Sequence, residues 1–447
     1  MQEQLEREVQ SPPIDLEDPV AVQKYIEGLH PVDAAALLEE LPPEMARDLL
    51  LRQPLPVRTE IFGYLRADTQ VELAPLLERR QLAAIITEMS ADDRADVFNR
   101  LSPEQQQALL PGLAQAERED IRRLASHAEG TAGAIMTSDY ATLAPGLTVR
   151  EALDVLRREA PDKETIYRAY VVGPDRHLIG SVRLRDLILA PERRRVAELI
   201  EADTFAVNAR ESQEEVAHKL ARYDVLALPV VDDAGRLIGI VTHDDAMDAL
   251  EQEATEDFHK IGTVGKLTQS VRHASIGLLY RKRVLWLALL VFGNLFSGAG
   301  IAYFEDTISM HVALVFFLPL LIGSSGNAGA QAATMMVRAL ATGDVVLKDW
   351  GKLLLRELLV AVGLGATMAL TVSMIGMFRG GTEVAMVVGL TMLLVVVIGS
   401  LIGMCLPFVL NRFKLDPATA SAPLVTTIAD AVGVVVYFSI ATTVLMP

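Results

Sequence analysis

Five long apolar stretches after residue 283 constrain the fold of this chain more than any other feature. They cover residues 284–303, 312–337, 358–378, 384–411 and 417–447, and charged residues separate them. Each is long enough to cross about 30 Å of hydrocarbon as a helix. Because lipid offers no hydrogen-bond partners to an open backbone, such stretches fold as helices. The sequence therefore predicts an α-helical membrane domain of five transmembrane helices, formed by residues 276–447.

The distribution of basic residues predicts how these helices are oriented. Arg281, Lys282 and Arg283 precede the first stretch, and further Lys and Arg residues join the second to the third and the fourth to the fifth. The opposite loops contain one basic residue, Arg379. Because cytoplasmic loops carry the excess of Lys and Arg, we expect the N-terminus in the cytoplasm and the C-terminus outside.

The remaining part of the chain is strongly acidic. The whole sequence contains 58 acidic and 41 basic residues, and eight acidic and ten basic ones follow residue 273. Residues 1–273 therefore hold 50 acidic residues against 31 basic ones, a net charge of −19. This excess argues against nucleic acid as a partner and favours cations. The single cysteine, Cys405, excludes a disulfide framework and a cysteine-based metal site.

Asp430 is the one ionisable residue within the last apolar stretch. A carboxylate at the centre of a membrane helix costs about 2.5–3.5 kcal/mol, so such a group usually faces a protein interior or a water-filled path. Pro423 is expected to remove a backbone hydrogen bond within the same stretch, and Thr426 and Thr427 add hydroxyl groups before Asp430. The pattern indicates the wall of a cavity rather than a surface that faces lipid.

The second apolar stretch is rich in small and polar residues between positions 323 and 334. Asn327 and Gln331 offer uncharged ligands at membrane depth, while the glycines allow helices to pack closely. Packing alone accounts for the glycines equally well, so the sequence leaves both interpretations open.

Residues 1–129 form the first predicted soluble domain. Short apolar periods alternate with Pro or capping residues, and AALLEELPPEMARDLLLRQP resembles AAIITEMSADDRADVFNRLS. Such repeats predict an all-α superhelical domain built from helical hairpins. Asp92, Asp93 and Asp96 crowd one part of it, with Glu60 upstream. Helix capping and a solvated face are the competing explanation for any one of these carboxylates.

Residues 130–249 contain an internal repeat. The segment 170–188 matches the segment 228–247 after a shift of 59 residues. The shift pairs Val171 with Val230, Gly180 with Gly239 and Asp186 with Asp245. Each copy reads as helix, strand, turn, strand and helix, a pattern that resembles a tandem pair of CBS domains with an α/β fold.

The resemblance to CBS pairs raises the question of nucleotide binding. In such pairs the Asp at the Asp186 position contacts ribose, and Arg185 lies beside it in the sequence. ATP is a possible ligand of such a pair, although Arg168 stands where an aromatic residue would stack on adenine. The alternative is that both repeated aspartates only cap their helices.

An acidic stretch follows the second copy and leads toward the membrane. Residues 244–257 contain seven acidic residues, and few Lys or Arg residues lie nearby. Like charges at helical spacing repel, and clusters of carboxylates alone favour Mg²⁺ or Ca²⁺ as the counter-charge. A solvated acidic linker is the alternative. Residues 250–275 are predicted to form a connecting helix, either a mechanical coupler to the pore or a segment that lies on lipid headgroups.

The order of these parts resembles the MgtE family of magnesium channels over the whole chain. The most specific motifs are GSSGNAGAQAATMMVRALAT, DPATASAPLVTTIADAVG and LIGIVTHDDAMDALEQEATED. The resemblance implies a homodimeric, Mg²⁺-selective channel that imports magnesium across the plasma membrane, the inner membrane of a bacterium. It also implies that cytosolic Mg²⁺ bridges acidic faces of the helical and CBS domains, and that the connecting (plug) helix then closes the pore.

The functional positions of the family can be transferred residue by residue. In the pore the resemblance implies the selectivity residue Asp430, supplied once by each protomer, together with Asn327, Thr426 and Gly433. The other cation-binding positions correspond to Glu60, Asp92, Asp96, Glu214, the carbonyl group of Ala221, Asp224, Asp245, Asp248, Glu253, Glu256, Asp257 and Asp416. Two departures concern the inner end of the pore, where Ala330 and Ala422 replace asparagines of the family.

Two other functions compete with this one. A channel or carrier for another divalent cation, such as Mn²⁺ or Co²⁺, is the alternative in the same class. A membrane-anchored CBS nucleotide sensor is the alternative in a different class, and the isolated Asp430 argues against a mere anchor. The eight His residues form no HExxH motif and no nucleophile motif stands out, so we expect no enzyme.

Overall fold

A computed structural model describes residues 18–201, 205–262, 264–265 and 274–445. The chain forms two compact units, Met1–Glu253 and Ala254–Pro447, and each is described by itself. The second half of the predicted connecting helix falls largely on residues 266–273, which lie outside the described residues.

From residue 18 onward, the described part of the first unit starts with nine short helices. They are α1 (Pro19–Ile26), α2 (Pro31–Leu38), α3 (Pro43–Arg52), α4 (Leu55–Tyr64), α5 (Ala67–Leu73), α6 (Arg79–Glu88), α7 (Ala91–Arg100), α8 (Pro103–Leu109) and α9 (Gln115–Leu124). Proline opens several of them, because its missing N–H has no partner to lose in the first turn. Their apolar faces share one buried core that runs from Val22 to Ile121. This part of the chain is all-α, as the sequence predicts.

Two small sheets follow the helices. The strands are β1 (Tyr140–Leu143), β2 (Thr165–Val172) and β3 (Leu178–Arg183) in one sheet, and β4 (Val207–Asn208), β5 (Ala227–Val231) and β6 (Leu237–Thr242) in the other. In both sheets the first two strands run parallel and the last two antiparallel. Helices α10 (Val149–Glu159), α11 (Leu184–Leu189) and α12 (Gln213–Tyr223) belong to the same region.

The strand register confirms the internal repeat. Val171 pairs with Gly180 across β2 and β3, and Val230 pairs with Gly239 across β5 and β6. These are the residues that the shift of 59 positions matches. Because side chains alternate along a strand, an identical register places equivalent residues of both copies on equivalent faces.

Helix α13 (His243–Ile261) begins directly after β6 and overlaps the first half of the predicted connecting helix 250–275. Its first turn carries Asp244 and Asp245, which the positive end of the helix favours. It ends at Ile261, and the amide of Val264 closes the last turn by donating to the carbonyl oxygen of His259 at 2.8 Å. The connecting helix over 250–275 stays a prediction, because residues 263 and 266–273 lie outside the described residues.

The second unit is built from long apolar helices. They are α14 (Ile276–Tyr303), the short α15 (Glu305–Met310), α16 (Ala313–Ala341), α17 (Trp350–Arg412) and α18 (Ala422–Leu445). In the part of the chain that the structure describes, four helical stretches have the length and composition to cross a membrane. The third of these covers two of the predicted stretches.

Helix α17 reverses its direction at Gly381, whose φ of 79° and ψ of −171° are not helical. The Ser373 hydroxyl group donates to the carbonyl oxygen of Ala385 at 3.2 Å, and a Cβ on Gly365 would lie 2.9 Å from the carbonyl oxygen of Leu393. These pairs show that residues 350–380 and 382–412 are two antiparallel arms. Glycine suits the reversal because it adopts a positive φ without steric cost.

Pro423 lies in the first turn of α18, because that helix begins at Ala422 rather than at residue 417. A short 3₁₀ turn, Pro417–Thr419, precedes it. The predicted break within the span is therefore wrong. A proline at the start of a helix removes an N–H that has no intrahelical partner.

Helix α16 and the second arm of α17 pack with their backbones in contact. A Cβ on Gly403 would lie 1.9 Å from the carbonyl oxygen of Gly329, and one on Gly399 would lie 2.3 Å from that of Ser325. The hydroxyl group of Ser325 also donates to the carbonyl oxygen of Val395 at 2.8 Å. Packing thus accounts for at least Gly329 in the small-residue segment of α16.

We expect Gly403→Ala to destabilise the membrane unit by about 1–3 kcal/mol, because the new methyl group overfills this contact. The matched control is Gly363→Ala on the same helix, where an added Cβ meets nothing within 4 Å. Because alanine favours the helix more than glycine does, Gly363→Ala should stabilise the protein by about 1 kcal/mol at most. The recovery of monodisperse protein after heating in detergent measures both effects. Equal heat resistance of the two variants would contradict the close contact.

Candidate cation sites

Carboxylates from the helical region and from α13 meet beside an apolar contact in the first unit. Ala91 and Ala95 of α7 share a buried cluster with Ala246 of α13. Asp92 follows Ala91 and Asp245 precedes Ala246, so this contact carries both acidic residues to the same place. We call Asp92, Asp93, Glu164, Asp244 and Asp245 the acidic cluster.

Burial and neighbouring carboxylates together raise the pKa of Asp245. Burial, followed by the negative charge of Asp92, raises the pKa of Asp245 to about 8, and Asp244 and Asp93 contribute further. The hydroxyl group of Thr242 donates to the Asp245 carboxylate and opposes part of this rise. The cluster therefore favours a proton or a cation at neutral pH.

One atom of the acidic cluster lacks any partner in the described part of the chain. The Oδ1 atom of Asp92 is buried and has no hydrogen-bond partner there. A buried carboxylate oxygen without a partner is costly, and a bound cation would remove that cost. All donors of the cluster are carboxylate oxygens, which suits a hard divalent cation such as Mg²⁺.

Glu164, just before β2, belongs to the acidic cluster although the sequence did not single it out. The pKa of Glu164 is raised to about 7, first by desolvation and then by the negative charges of Asp92, Asp244, Asp93 and Asp139. No local pattern in the sequence marks this residue. Asp93 and Asp244 are not among the predicted ligands, although they adjoin the predicted ligands Asp92 and Asp245.

The acidic cluster is an electrostatic site rather than a preformed chelate. Across residues 18–201 and 205–253, no three His, Cys, Asp or Glu side chains stand where they could hold one metal ion together. Carboxylates that carry like charges spread apart, so a cation would have to draw them together. Residues that move on binding can couple cation concentration to conformation.

The other predicted ligands of the helical region lie near the cluster but differ from it. Glu60 is exposed on α4, one turn before Gly63, where an added Cβ would lie 3.7 Å from Oδ2 of Asp93. Asp96 accepts a hydrogen bond from Arg100 at 2.7 Å, so an internal cation already neutralises it. Asp96 is therefore a weaker candidate than Asp92.

The predicted ligands on α12 occupy its two ends. Glu214 is in the first turn and lies 3.8 Å from Nε2 of His218. Asp224 caps the other end in the left-handed conformation, with φ of 50°, and Ala221 supplies a carbonyl group of the last turn. The negative end of a helix and an exposed carboxylate together attract a cation. These two groups are close along the chain, whereas Glu214 is separate from them.

The predicted ligands on α13 are distributed along the helix. Asp248 is exposed. Glu253 accepts a hydrogen bond from Nε2 of Gln213 at 2.9 Å. Glu256 lies 2.9 Å from Nζ of Lys260 in the second unit, and Asp257 is half-buried beside it along the chain. The structure thus gives Glu253 and Glu256 partners of their own.

Lys260 links the end of α13 to Asp416, the residue before the 3₁₀ turn that leads into α18. Nζ of Lys260 donates to Oδ2 of Asp416 at 2.5 Å, and Oδ1 of Asp416 accepts from the amide of Ala418 at 2.8 Å. Burial alone would lower the pKa of Lys260, but hydrogen bonds to Asp416 and Glu256 outweigh it and raise that pKa. An ammonium group therefore occupies this predicted cation position.

Asp430 lies within α18, half-buried and without a compensating charge. Its Oδ1 atom is buried and has no hydrogen-bond partner, and no basic side chain forms an ion pair with it among the described residues. Thr426, one turn earlier, donates its hydroxyl proton to the carbonyl oxygen of Ala422 at 2.9 Å. The Thr426 oxygen therefore keeps lone pairs that can accept a further hydrogen bond.

The other predicted pore residues lie on α16 and α18 and differ in their surroundings. Gly326 of α16 approaches Thr426 so closely that an added Cβ would lie 2.7 Å from Cγ2 of Thr426. Asn327 is the next residue and is exposed. Gly433 is buried, with Val395 as the nearest neighbour of an added Cβ at 3.9 Å. Thr426 and Asn327 thus remain candidate pore residues, while Gly433 lies next to Val395 of the second arm of α17.

A separate cavity of 440 Å³ lies between the two sheets of the first unit. Arg168, Arg183, Glu201, Phe205 and Tyr223 are among the residues that line it. Arg168 donates to Glu201 at 2.9 Å, and the rings of Phe205 and Tyr223 stack on each other with centroids 4.1 Å apart. The predicted nucleotide contacts Arg185 and Asp186 are not among the lining residues. An ion pair occupies the position of the expected aromatic face, while Phe205 and Tyr223 present aromatic rings elsewhere in the same lining.

Comparisons with known proteins cover most of the chain. Family models match a divalent cation transporter of the MgtE type over residues 318–440, an MgtE intracellular N domain over 29–130, and CBS domains over 132–193 and 196–252. A magnesium transporter MgtE of Thermus thermophilus is 38% identical over 427 residues, which are 95% of this chain and 95% of that protein. A magnesium transporter MgtE of Bacillus subtilis is 32% identical over 421 residues, covering 94% of this chain and 93% of that one.

One solved structure resembles the first unit. It is the cytosolic domain of the Mg²⁺ channel MgtE in complex with ATP, with a TM-score of 0.50 and 39% sequence identity. The match covers 55% of this chain and 97% of that one. The helical and CBS regions therefore have a solved counterpart.

Proposed function

Because the chain belongs to the MgtE family of magnesium transporters, we propose that it is a Mg²⁺-selective channel that imports magnesium and that cytosolic Mg²⁺ closes. Asp430 carries the proposal. A half-buried carboxylate with an unpartnered oxygen, inside an apolar helix, is the type of group that marks an ion pathway. The family is one of transporters and not of enzymes, as expected from the sequence.

Selectivity follows from how Mg²⁺ holds water. The ion dehydrates reluctantly and usually keeps several water molecules, so a pore that binds it through its waters needs few direct ligands. Asp430 of each protomer in a homodimer would face the hydrated ion from opposite sides, and the Thr426 oxygen can accept hydrogen bonds from its waters. A binding site of this kind attracts the ion without trapping it.

The closing mechanism uses the acidic cluster. At low Mg²⁺ the like charges of Asp92, Asp93 and Asp245 repel, and the net charge of −19 on residues 1–273 adds to the separation. At high Mg²⁺ the carboxylates gain counter-charges and the compact arrangement is favoured. Individual sites are weak because no preformed chelate exists among the described residues, which suits sensing at millimolar concentrations.

The membrane arrangement in this proposal has five crossings. The two arms of α17 each cross once, and α14, α16 and α18 supply the others. The basic residues around 281–283, 338–356 and 412–414 place the N-terminus in the cytoplasm and the C-terminus outside. Helix α14 has no buried residue in the single chain, so lipid or a second protomer is free to cover it.

Flux into proteoliposomes tests the function. Vesicles that contain the purified protein and a dye for divalent cations should take up Mg²⁺ faster than Mn²⁺ or Co²⁺. Millimolar Mg²⁺ on the side of the soluble domains should slow that uptake. Equal rates for the three ions would favour a general divalent-cation channel, and uptake that ignores Mg²⁺ on that side would contradict closure.

We do not include ATP in the mechanism, because the Arg168–Glu201 ion pair stands where an aromatic residue that stacks on adenine is expected. A related cytosolic domain does bind ATP, and it provides a direct comparison. We expect Arg168→Tyr to strengthen ATP binding about tenfold or more, since a base stacked on an aromatic ring gains about 1–3 kcal/mol. Calorimetric titration of the protein with ATP measures the change. Arg183→Gln in the Arg168→Tyr background should weaken binding again, because Arg183 also lines the cavity. Tight ATP binding by the unmodified chain would refute this interpretation.

A further inference from the structure

An apolar groove with a basic rim lies where the two arms of α17 end. Its volume is 450 Å³, and its walls include Trp350 and Leu347 at the start of the first arm and Phe408 and Val409 near the end of the second. Phe408 is buried, whereas the other three are exposed. The groove is thus a concave apolar surface that solvent or lipid reaches from one side.

Two cations stand on this groove without partners. Lys348 and Arg412 both line it and are both exposed, and neither forms an ion pair or a side-chain hydrogen bond within the described residues. No acidic side chain belongs to the lining. The rim of the groove is therefore positively charged, and its walls are uncharged.

The position of the groove defines its surroundings. Lys348 precedes the first arm of α17, and Arg412 is the last residue of the second, so both lie at the edge of the apolar region. This edge also carries Lys352, Arg356 and Lys414, and the positive-inside rule assigns it to the cytoplasmic leaflet. Basic pockets between membrane helices on that side bind anionic lipid headgroups.

We propose that this groove binds an anionic phospholipid, whose phosphate lies between Lys348 and Arg412 and whose acyl chain lies against Trp350, Phe408 and Val409. A neutral lipid would fill the walls equally well but would leave both cations without a counter-charge. A soluble anion would meet the cations but would gain nothing from the apolar walls. The combination of the two features selects an amphiphile with a negative headgroup.

Trp350 provides a direct reporter, because the chain contains two tryptophans and the other one, Trp286, can be replaced by phenylalanine. The Trp286→Phe protein is reconstituted in phosphatidylcholine vesicles that contain a small fraction of brominated phosphatidylglycerol or brominated phosphatidylcholine. Bromine quenches tryptophan on contact. We expect the anionic lipid to be preferred on the order of tenfold at Trp350, given two cations near one headgroup.

Charge variants separate the groove from the general basic surface. Lys348→Gln with Arg412→Gln should remove the preference, whereas Lys352→Gln with Lys414→Gln should keep it, because the latter pair does not line the groove. High salt should weaken the preference in the unmodified groove, which tests the charge effect without a substitution. Equal quenching by both lipids, or a preference that survives Lys348→Gln with Arg412→Gln, would overturn the proposal. Quenching by neither lipid would also overturn it and would show that protein, such as a second copy, covers the groove.

Discussion

Replacing Asp430 by alanine is expected to reduce Mg²⁺ uptake by proteoliposomes by about two orders of magnitude. Removing one member of a buried charge interaction costs about 2–5 kcal/mol, and about 1.4 kcal/mol corresponds to a factor of ten. Because Oδ1 of Asp430 has no hydrogen-bond partner among the described residues, the substitution breaks no hydrogen bond within the protein at that atom. It removes only the interaction with the ion.

Three variants make this result specific. Asp430→Asn keeps the shape and removes the charge, so it should behave like the alanine variant. Asp430→Glu keeps the charge and should retain part of the uptake. Ser439→Ala on the same helix is the matched control, because Ser439 is exposed and its side chain makes no hydrogen bond among the described residues. Unchanged uptake in Asp430→Asn would remove Asp430 from the pathway.

The second large effect concerns the acidic cluster and pH. The carboxyl group of Asp245 has a pKa of about 8 in the compact first unit, well above its ordinary value of 3.8. The carboxyl group of Asp245 therefore keeps its proton up to a higher pH in the folded state than in the unfolded state. The stability of the folded state falls as pH rises through the window between about 4 and about 8, and the ionised cluster is least stable at high pH. Mg²⁺ should restore the stability that the loss of the proton removes.

We expect the thermal unfolding midpoint of a fragment of residues 1–262 to rise on acidification from about pH 9 to about pH 6 without divalent cations. Millimolar Mg²⁺ should raise that midpoint more at the higher pH. The free energy involved is on the order of a few kcal/mol, since each pKa unit corresponds to about 1.4 kcal/mol. Circular dichroism provides the measurement.

Asp245→Asn should flatten both responses, because the amide cannot ionise. Asp233→Asn serves as a matched control, since Asp233 is exposed in the same region and pairs with Arg210 at 2.8 Å, outside the acidic cluster. A midpoint that rises with pH in the unmodified fragment, or a response that Asp245→Asn leaves intact, would contradict the electrostatic account.

The sequence predicts those parts of the structure that depend on local periodicity. The pairing of Val171 with Gly180 and of Val230 with Gly239 follows from an internal repeat and from the alternation of side chains along strands. The apolar helices of the second unit follow from length and composition. The prediction of residues 250–275 overlooks the end of α13 at Ile261, although Gly262 directly after it is a helix-stop signal.

Contacts between distant parts of the chain lie beyond such reasoning. Asp92 lies near Asp245 because alanines of α7 and α13 share one apolar cluster, and the charges of Asp92 and Asp244 also act on Glu164. Lys260 reaches Asp416 although a large part of the chain separates them. Asp416 is a predicted cation-binding residue, yet the sequence does not indicate that the ammonium group of Lys260 binds it.

The contact between Lys260 and Asp416 ties the end of α13 to the turn before α18. Nζ of Lys260 also lies 2.9 Å from Glu256, so one ammonium group neutralises two carboxylates of the second unit. A divalent cation that bound Asp416 would have to displace this ammonium group. An internal cation and an external one therefore compete for the same carboxylate.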